Sequence, residues 1–332
     1  MKDNKKAIVT GCPGQDASYL CELLVEKGYS VYGVSRRSTR ENSNMLFVEN
    51  LTNNRYNAVT MDVTDPSGVS DLVKNVQPDE YYNLAAMSHV GQSFKEPAST
   101  LMADGMAVTY ALEAIKNYAP NCKFYQASTS ELYGKVEEGL KLDENSEFKP
   151  RSPYGAAKMY AHNMVSIYRD SYGIHGSCGI LFNHESERRG LNFVTRKITT
   201  GVARVKCGHE RHVVLGNIDA IRDWGHARDY VYGMWLMLQQ ENPDDYVLAT
   251  GETASVREAL NYVCDLAELN MDEVYKINPK FMRPAEVPYL CGDPSKAKKV
   301  LGWRPQHNWK SLLELMYKSD YRTAAREVYT YR

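Results

Sequence analysis

No apolar stretch in this 332-residue chain approaches the ~18 residues needed to cross a bilayer, so a membrane-spanning role is not expected. Charge of one sign is not in excess either: 40 Lys and Arg against 41 Asp and Glu leave a net charge of -1, which argues against bulk nucleic-acid binding. Cysteine is sparse and scattered, seven residues with no C-x-x-C pair, which excludes a disulfide framework and suits reduced thiols. The opening MKDNKKAIVTG runs straight into a strand without the apolar core of a signal peptide, and the expected location is cytoplasmic. Repeats, low-complexity tracts and long linkers are absent. His209 and His212 share a glycine-containing loop with no third ligand nearby, so no metal site is expected. What is present is ordinary for a globular protein, 43% hydrophobic and 24% charged residues, enough for one large domain or two interleaved ones.

The first half alternates strand and helix. Short β-rich runs cover Lys6–Thr10, Ser30–Val34, Ala58–Asp62, Glu80–Leu84, Lys123–Ala127 and Ile174–Leu181. Helical spacing fills Ser18–Lys27, Pro97–Tyr118 and Pro153–Tyr172, and Asp65-Pro66 caps another helix. Such alternation implies right-handed βαβ crossovers and an α/β, Rossmann-type, doubly wound parallel sheet. Residues 1–182 with 225–250 would form this domain, and 183–224 with 251–332 a smaller C-terminal substrate-binding domain. Met234–Leu238 reads as core packing, and the last ~30 residues as helices covering the second site.

The turn after the first strand reads Gly11-Cys-Pro-Gly14-Gln-Asp-Ala17. At a first β–α junction, Gly11 permits the tight turn and Gly14 lets backbone approach a pyrophosphate held at the helix N-terminus. Ala17 takes the third glycine position and is small enough for close helix–strand packing. At the end of the second strand, where an Asp or Glu would bind a free ribose hydroxyl, the chain has Ser35-Arg36-Arg37-Ser38-Thr39-Arg40. Guanidinium groups suit a 2′-phosphate and favour NADP over NAD. Asp62, with Val63 after it, would meet the adenine edge. Leu84-Ala85-Ala86 offers small residues under the cofactor, and Ser88 stands at the mouth of the site.

Gln126 to Lys158 carries a hydroxyl (Thr129), a carboxylate (Glu131), a phenol (Tyr154) and an ammonium (Lys158). Tyr154 and Lys158 are four apart on an expected helix and share a face. A phenol titrates near ~10, and a cation within ~4–6 Å lowers that by ~1–3 units, toward the range of a general base. Taken alone, the pair reads as a surface Tyr and Lys, and Glu131 as an acid in a turn. Arg188, Arg189, Arg196, Lys197, Arg222 and Arg283 are scattered in sequence; converging, they would clamp a pyrophosphate, and otherwise they are solvated cations.

T-G-x-x-G-Q-D, Tyr82-Asn-Leu-Ala-Ala86, Gln126-Ala-Ser-Thr-Ser-Glu-Leu-Tyr-Gly134 and Pro150-Arg-Ser-Pro-Tyr-Gly-Ala-Ala-Lys158 resemble the extended short-chain dehydrogenase/reductases. Within them the chain resembles the GDP-mannose 4,6-dehydratase family. The finer likeness rests on Ile180–Ser186 with Arg188-Arg189-Gly190, Phe193–Thr199, Leu215-Gly-Asn217 with Arg222–His226, Arg283–Val287 and Gly292–Lys298. The resemblance implies NADP on Gly11, Gly14, Gln15, Asp16, Arg36, Arg37, Asp62, Leu84, Ser88, Tyr154, Lys158, His184 and Arg189. It implies a GDP-sugar on Asn183, Arg196, Lys197, Gly216, Arg222, Arg283 and Glu286, with Ser88, Thr129 and Glu131 at the sugar, and a homo-oligomer, dimer or tetramer. Pro13, Ala17, Ser99 and the segment 40–56 depart from the family's pattern.

The implied chemistry is oxidation at the sugar's C4, loss of water across C5 and C6, and return of the hydride to C6, with Glu131 separating elimination from plain epimerisation. A GDP-manno-heptose dehydratase keeps the chemistry and changes the sugar. A GDP-4-keto-6-deoxymannose reductase would not need Glu131. A non-catalytic NADP sensor would need none of the four groups together.

Overall fold

The computed structural model describes residues 4–37, 44, 47–48, 55–282 and 284–330; Ser38 and Arg283 lie outside them. Seven strands form one sheet in the order β10-β6-β5-β4-β1-β2-β3, every neighbouring pair parallel. They are β1 (Lys6–Thr10), β2 (Ser30–Ser35), β3 (Tyr56–Thr60), β4 (Glu80–Asn83), β5 (Lys123–Ala127), β6 (Gly176–Leu181) and β10 (Tyr246–Leu248). The central strands are almost wholly buried on both faces, so they do not alternate between apolar and polar residues; Glu80 and Asn83 of β4 are buried polar groups. Chain direction through the sheet reverses between β1 and β4, which opens a crevice at their C-terminal ends.

The helices on the two faces are α1 (Gln15–Glu26), α2 (Pro66–Val76), α3 (residues 97–118), α4 (Pro153–Tyr172) and α6 (Ala227–Gln239). Helix α4 begins at Ser152, whose hydroxyl caps the Gly155 amide, and ends at Gly173 in the left-handed region, φ 65°. One apolar core lies between the sheet and α1 with α6, the other between the sheet and α2, α3 and α4.

A second unit gathers β7 (Asn183–Glu185), β8 (Val213–Leu215), β9 (Ile221–His226), β11 (Thr253–Ser255) and β12 (Tyr275–Ile277) with α5 (Val194–Lys206), α7 (Val256–Leu266) and α8 (Trp309–Thr330). It has a separate core around Ile198, Val202, Trp224, Leu260 and Leu313. No helix among the described residues is long and apolar enough to cross a membrane.

Several elements differ from the sequence expectation. Helix α1 starts at Gln15, three residues early, because Gly14 sits at its N-cap in extended backbone. This places Asp16 in the first turn. Strand β3 runs Tyr56–Thr60, two residues early, in register with β2, and Asp62 leaves it in a turn closed by Thr64. Helix α3 is α-helical at Pro97–Leu101 and Ala107–Tyr118 but widens to a π turn at Met102–Met106. The C-terminal stretch is one long helix, not several.

Candidate active site

The glycine turn is built as a cradle. Gly11 has φ 80°, and a Cβ there would lie 2.9 Å from the Ala85 Cα. A Cβ on Gly14 would lie 2.9 Å from the Gly11 carbonyl oxygen. Both positions therefore need glycine, as close approach of a pyrophosphate requires. Thr10 ties the turn to the end of β4, its Oγ1 accepting from the amides of Leu84 and Ala85, both at 3.0 Å. Ala86 and Ser88 follow, exposed at the crevice mouth. At the other end Arg36 and Arg37 are exposed. Arg36 lies close enough to Asp62 to help hold its carboxyl below the usual range, after the Thr64 amide, which is the larger cause. Val63 is buried beside it.

Under the cradle lies a buried polar knot. Gln15 donates to Asp16 (2.9 Å) and to the His184 carbonyl (3.1 Å), and accepts from Ser186 (2.7 Å). His184 reaches Asp16 through Nε2 at 2.8 Å and the Phe182 carbonyl through Nδ1 at 2.7 Å, and stacks on Tyr230. Burial alone would lower the imidazole pKa, but Asp16 outweighs it and the net shift is upward. Burial likewise opposes ionisation of Asp16, and His184 with Arg189 reverses it, so the carboxyl is pulled down. Arg189 lies over the Phe193 ring at 3.6 Å, with Glu185 3.1 Å from its Nε.

At the C-terminal end of β5 the four catalytic candidates come together. Thr129 opens a single 3₁₀ turn, Ser130–Leu132, and its Oγ1 accepts the Glu131 amide at 3.2 Å. The Thr129 hydroxyl and the Glu131 carboxylate both lie near enough to the Tyr154 phenol to act on its ionisation. Lys158 is buried one turn along α4, with Nζ donating to the Ala127 carbonyl at 3.1 Å.

The electrostatics correct one expectation. Lys158 was expected to pull the phenol of Tyr154 down. Instead the phenol is pushed up, first by burial, then by the charge of Asp104, with Glu131 adding to it and Thr129 and Arg189 opposing. Lys158 itself is pushed down by burial, against Asp104 and Asp16. Asp104 is the group that sequence reasoning missed. It sits in the π turn of α3, buried, with Oδ1 accepting the Met87 amide at 2.7 Å and Oδ2 in no hydrogen bond. Burial raises its pKa, and Lys158 acts against that rise. The sequence did hold a signal: a lone carboxylate inside the helical run Leu101-Met-Ala-Asp-Gly-Met-Ala107.

Of the cations expected to converge as one clamp, Arg283 lies outside the described residues, and Arg188 and Arg196 are engaged elsewhere. Arg188 turns to α1, pairing with Glu22 at 2.6 Å and lying over the rings of Tyr19 and Phe47. Arg196 is taken by Asp320 at 2.8 Å and by the carbonyls of Glu187 and Arg189. Both have local partners because burial requires them. Lys197 lies over Phe281 at 4.1 Å, beside Gly216, where a Cβ would meet the Phe281 carbonyl oxygen at 2.7 Å. Arg222 is buried, donates to its neighbour Ile221's carbonyl and lies 3.4 Å from Glu286. Asn183 has its Oδ1 buried without a hydrogen bond. A cavity of about 580 Å³ is lined by Arg196, Lys197, Thr200, Val213, Phe281 and Asp320 among others; none of the four catalytic candidates lines it. His209 bonds the Ala324 carbonyl. The one group of possible metal ligands among the described residues is instead His162, Cys178 and Asp245.

A doubly wound sheet with a glycine cradle at its switch point, and a Tyr-x-x-x-Lys pair beside a hydroxyl at the end of β5, defines the extended short-chain dehydrogenase/reductase class. A solved UDP-glucose 4-epimerase from Thermotoga maritima, with UDP-glucose, has this fold: TM-score 0.84, 24% identity, 96% of this chain and 99% of that one covered. The family model described as GDP-mannose 4,6 dehydratase matches residues 8–316, and the chain belongs to that family. A GDP-mannose 4,6-dehydratase from Vibrio cholerae is 43% identical, covering 97% of this chain and 95% of its own. GDP-mannose 4,6 dehydratase 1 from Arabidopsis thaliana is 44% identical, covering 98% and 92%.

Proposed function

We propose that the chain is a GDP-mannose 4,6-dehydratase that uses NADP and releases GDP-4-keto-6-deoxymannose and water. The observation that carries the reading is that the Glu131 carboxylate and the Thr129 hydroxyl, from one 3₁₀ turn, both act on the Tyr154 phenol. A site that only oxidised and reduced C4 would have no use for this acid.

Gly11, Gly14 and the N-terminus of α1 would hold the pyrophosphate, with Arg36 and Arg37 at the 2′-phosphate and Tyr154 and Lys158 at the nicotinamide ribose. NADP, when bound, supplies the hydride acceptor for C4 and the donor for C6. The chain's own residues move the protons. Tyr154 takes the 4-hydroxyl proton, with Thr129 orienting that oxygen and the Lys158 ammonium countering the charge on the phenol. The 4-ketone acidifies the C5 proton. Glu131 removes it and returns a proton to the departing 6-hydroxyl, which leaves as water. The hydride returns to C6 while the proton held on Tyr154 goes back to C5, so no net oxidation occurs and the phenol is ready for the next turnover.

Residues 1–182 with 225–250 would bind the cofactor. Residues 183–224 with 251–332 would bind GDP, with Lys197, Gly216 and Arg222 as contacts and Asn183 offering its unpartnered oxygen. We read the protein as a cytoplasmic homo-oligomer; the support is indirect, in seven free thiols and in Leu101, Met102, Ile167 and Tyr172 exposed on α3 and α4. The test is incubation of purified protein with GDP-mannose, followed by mass spectrometry. Loss of one water without added cofactor is expected, and an unchanged sugar nucleotide in the presence of NADP would overturn the reading.

A further inference from the structure

Helix α4 carries Tyr154, Lys158 and His162 at four-residue intervals, which puts three polar side chains on one face. Each reaches a different residue of one tripeptide at the end of β5. Lys158 donates to the Ala127 carbonyl, and the Thr129 hydroxyl meets Tyr154. Between them, His162 Nδ1 lies 3.0 Å from Ser128 Oγ. The outer two contacts belong to the reacting groups. The middle one does not: His162 and Ser128 are both buried behind the site.

The imidazole is itself anchored. Its Nε2 lies 3.8 Å from Asp245 Oδ2, and Phe148 packs edge-on against the ring at 5.1 Å. Asp245 is fixed in turn by the Cys178 amide at 2.8 Å and by both terminal nitrogens of Arg169, at 2.5 and 3.3 Å. Burial lowers the His162 pKa against the pull of Asp245, so the ring is neutral and carries one N–H. The carboxylate favours that hydrogen on Nε2. Nδ1 is then the acceptor and the Ser128 hydroxyl the donor. His162, Cys178 and Asp245 could together face a metal ion, but Arg169 and the Cys178 amide already engage the carboxylate, and a guanidinium beside a metal cation is unfavourable.

We propose that His162 is a positioning residue for the dehydration: by holding Ser128 it sets the backbone from which Thr129 and Glu131 project. Ser128 is gripped at both ends, its amide donating to the Gly179 carbonyl at 2.9 Å and its hydroxyl donating to His162. Thr129 follows directly and caps the turn that contains Glu131. A shift at Ser128 therefore moves the hydroxyl and the acid together, while GDP contacts on the second unit stay in place. The inference rests on the dehydratase reading for its kinetic arm only.

The test uses the full-length protein with His162→Phe, His162→Asn and Ser128→Ala. Phe keeps the ring volume and removes the acceptor; Asn restores an acceptor near the Nδ1 position. For His162→Phe, kcat with GDP-mannose is expected to fall ~30–100-fold with KM changed less than ~2-fold, since a misplacement of about 1 Å costs ~10²-fold. Amide hydrogen exchange over residues 128–131 should accelerate while that of α1 does not. His162→Asn should recover kcat to within ~5-fold of wild type and restore the protection. Ser128→Ala should reproduce the Phe phenotype, which keeps the question decidable if His162→Phe does not fold. The proposal is overturned if removal of the acceptor leaves kcat within ~3-fold of wild type, if Asn is no better than Phe, or if exchange at 128–131 is unchanged. A wild-type protein inert toward GDP-mannose would sink the dehydratase reading alone, and the exchange data would still decide whether His162 holds the segment.

Discussion

Lys158 donates its ammonium to the Ala127 carbonyl oxygen at 3.1 Å, two residues before Thr129, whose hydroxyl acts on the Tyr154 phenol. The pair ties α4 to the end of β5 at the point where the strand turns into the reacting groups. The same ammonium acts on the ionisation of Asp104, lowering its pKa against the rise that burial causes.

Lys158→Met should therefore do two things. It removes the charge that counters the developing phenolate, lowering kcat ~10²–10⁴-fold, as loss of an acid–base partner does. It also leaves Asp104 without its compensating cation, which pushes that carboxyl further up and weakens the π turn. Steady-state turnover reads the first effect. The second is read by the change of Tm with pH: a carboxyl that is neutral in the folded protein and ionised in the unfolded chain makes Tm fall more steeply with rising pH through neutrality in the variant than in wild type.

The pH profile follows from the direction of the Tyr154 shift. Only the deprotonated phenol can take the sugar proton, and burial and nearby carboxylates make that form scarcer at neutral pH. The dehydration rate should accordingly rise through the alkaline range rather than level off near neutrality. Lys158, shifted the opposite way by burial, sets a ceiling by losing its charge earlier than an exposed lysine. A profile of kcat/KM already flat between pH ~6 and ~9 would contradict the sign of the Tyr154 shift.

Gly11→Ala tests the cradle. The added methyl meets the Ala85 backbone at 2.9 Å, in a conformation of φ 80° that L side chains resist. The strain is of order 1–3 kcal/mol, and both neighbours are backbone, so neither can move aside cheaply. Purified variant should carry less bound nucleotide per chain, measured after denaturing release, and should melt lower than wild type. Full nucleotide occupancy with an unchanged Tm would show that the turn tolerates a Cβ.

What was legible in the sequence was whatever local pattern controls. The parallel strands announced themselves as short β-rich runs, and the helical spacing expected over Pro153–Tyr172 is the span of α4. Thr129, Glu131, Tyr154 and Lys158 could be named as candidates because their types are chemically telling and their order fits one strand and one helix. The misses are long-range. Arg188 and Arg196 look like substrate clamps until Glu22 and Asp320, from distant helices, take them. Asp104 lies where its helix widens to a π turn, which no propensity marks. The sign of the Tyr154 shift depended on burial, which a spacing of four residues does not report.

Glu131→Gln separates dehydration from simple redox at C4. The amide keeps the shape of the side chain on a half-buried position and removes the base. Thr129 still stands beside the Tyr154 phenol, and Lys158 still donates to the Ala127 carbonyl, so proton removal from the 4-hydroxyl is expected to remain intact. Removal of the C5 proton and protonation of the departing 6-hydroxyl are not. With GDP-mannose the variant should reduce bound NADP in a burst visible by nicotinamide absorbance, then stall, with product formation down ~10²–10⁴-fold. Exchange of the C5 proton with deuterated solvent should disappear in parallel. If the variant instead forms the 4-keto-6-deoxy product at the wild-type rate, another group performs the elimination. The nearest buried carboxylate acting on the same phenol is Asp104, and Asp104→Asn would be the next variant to assay.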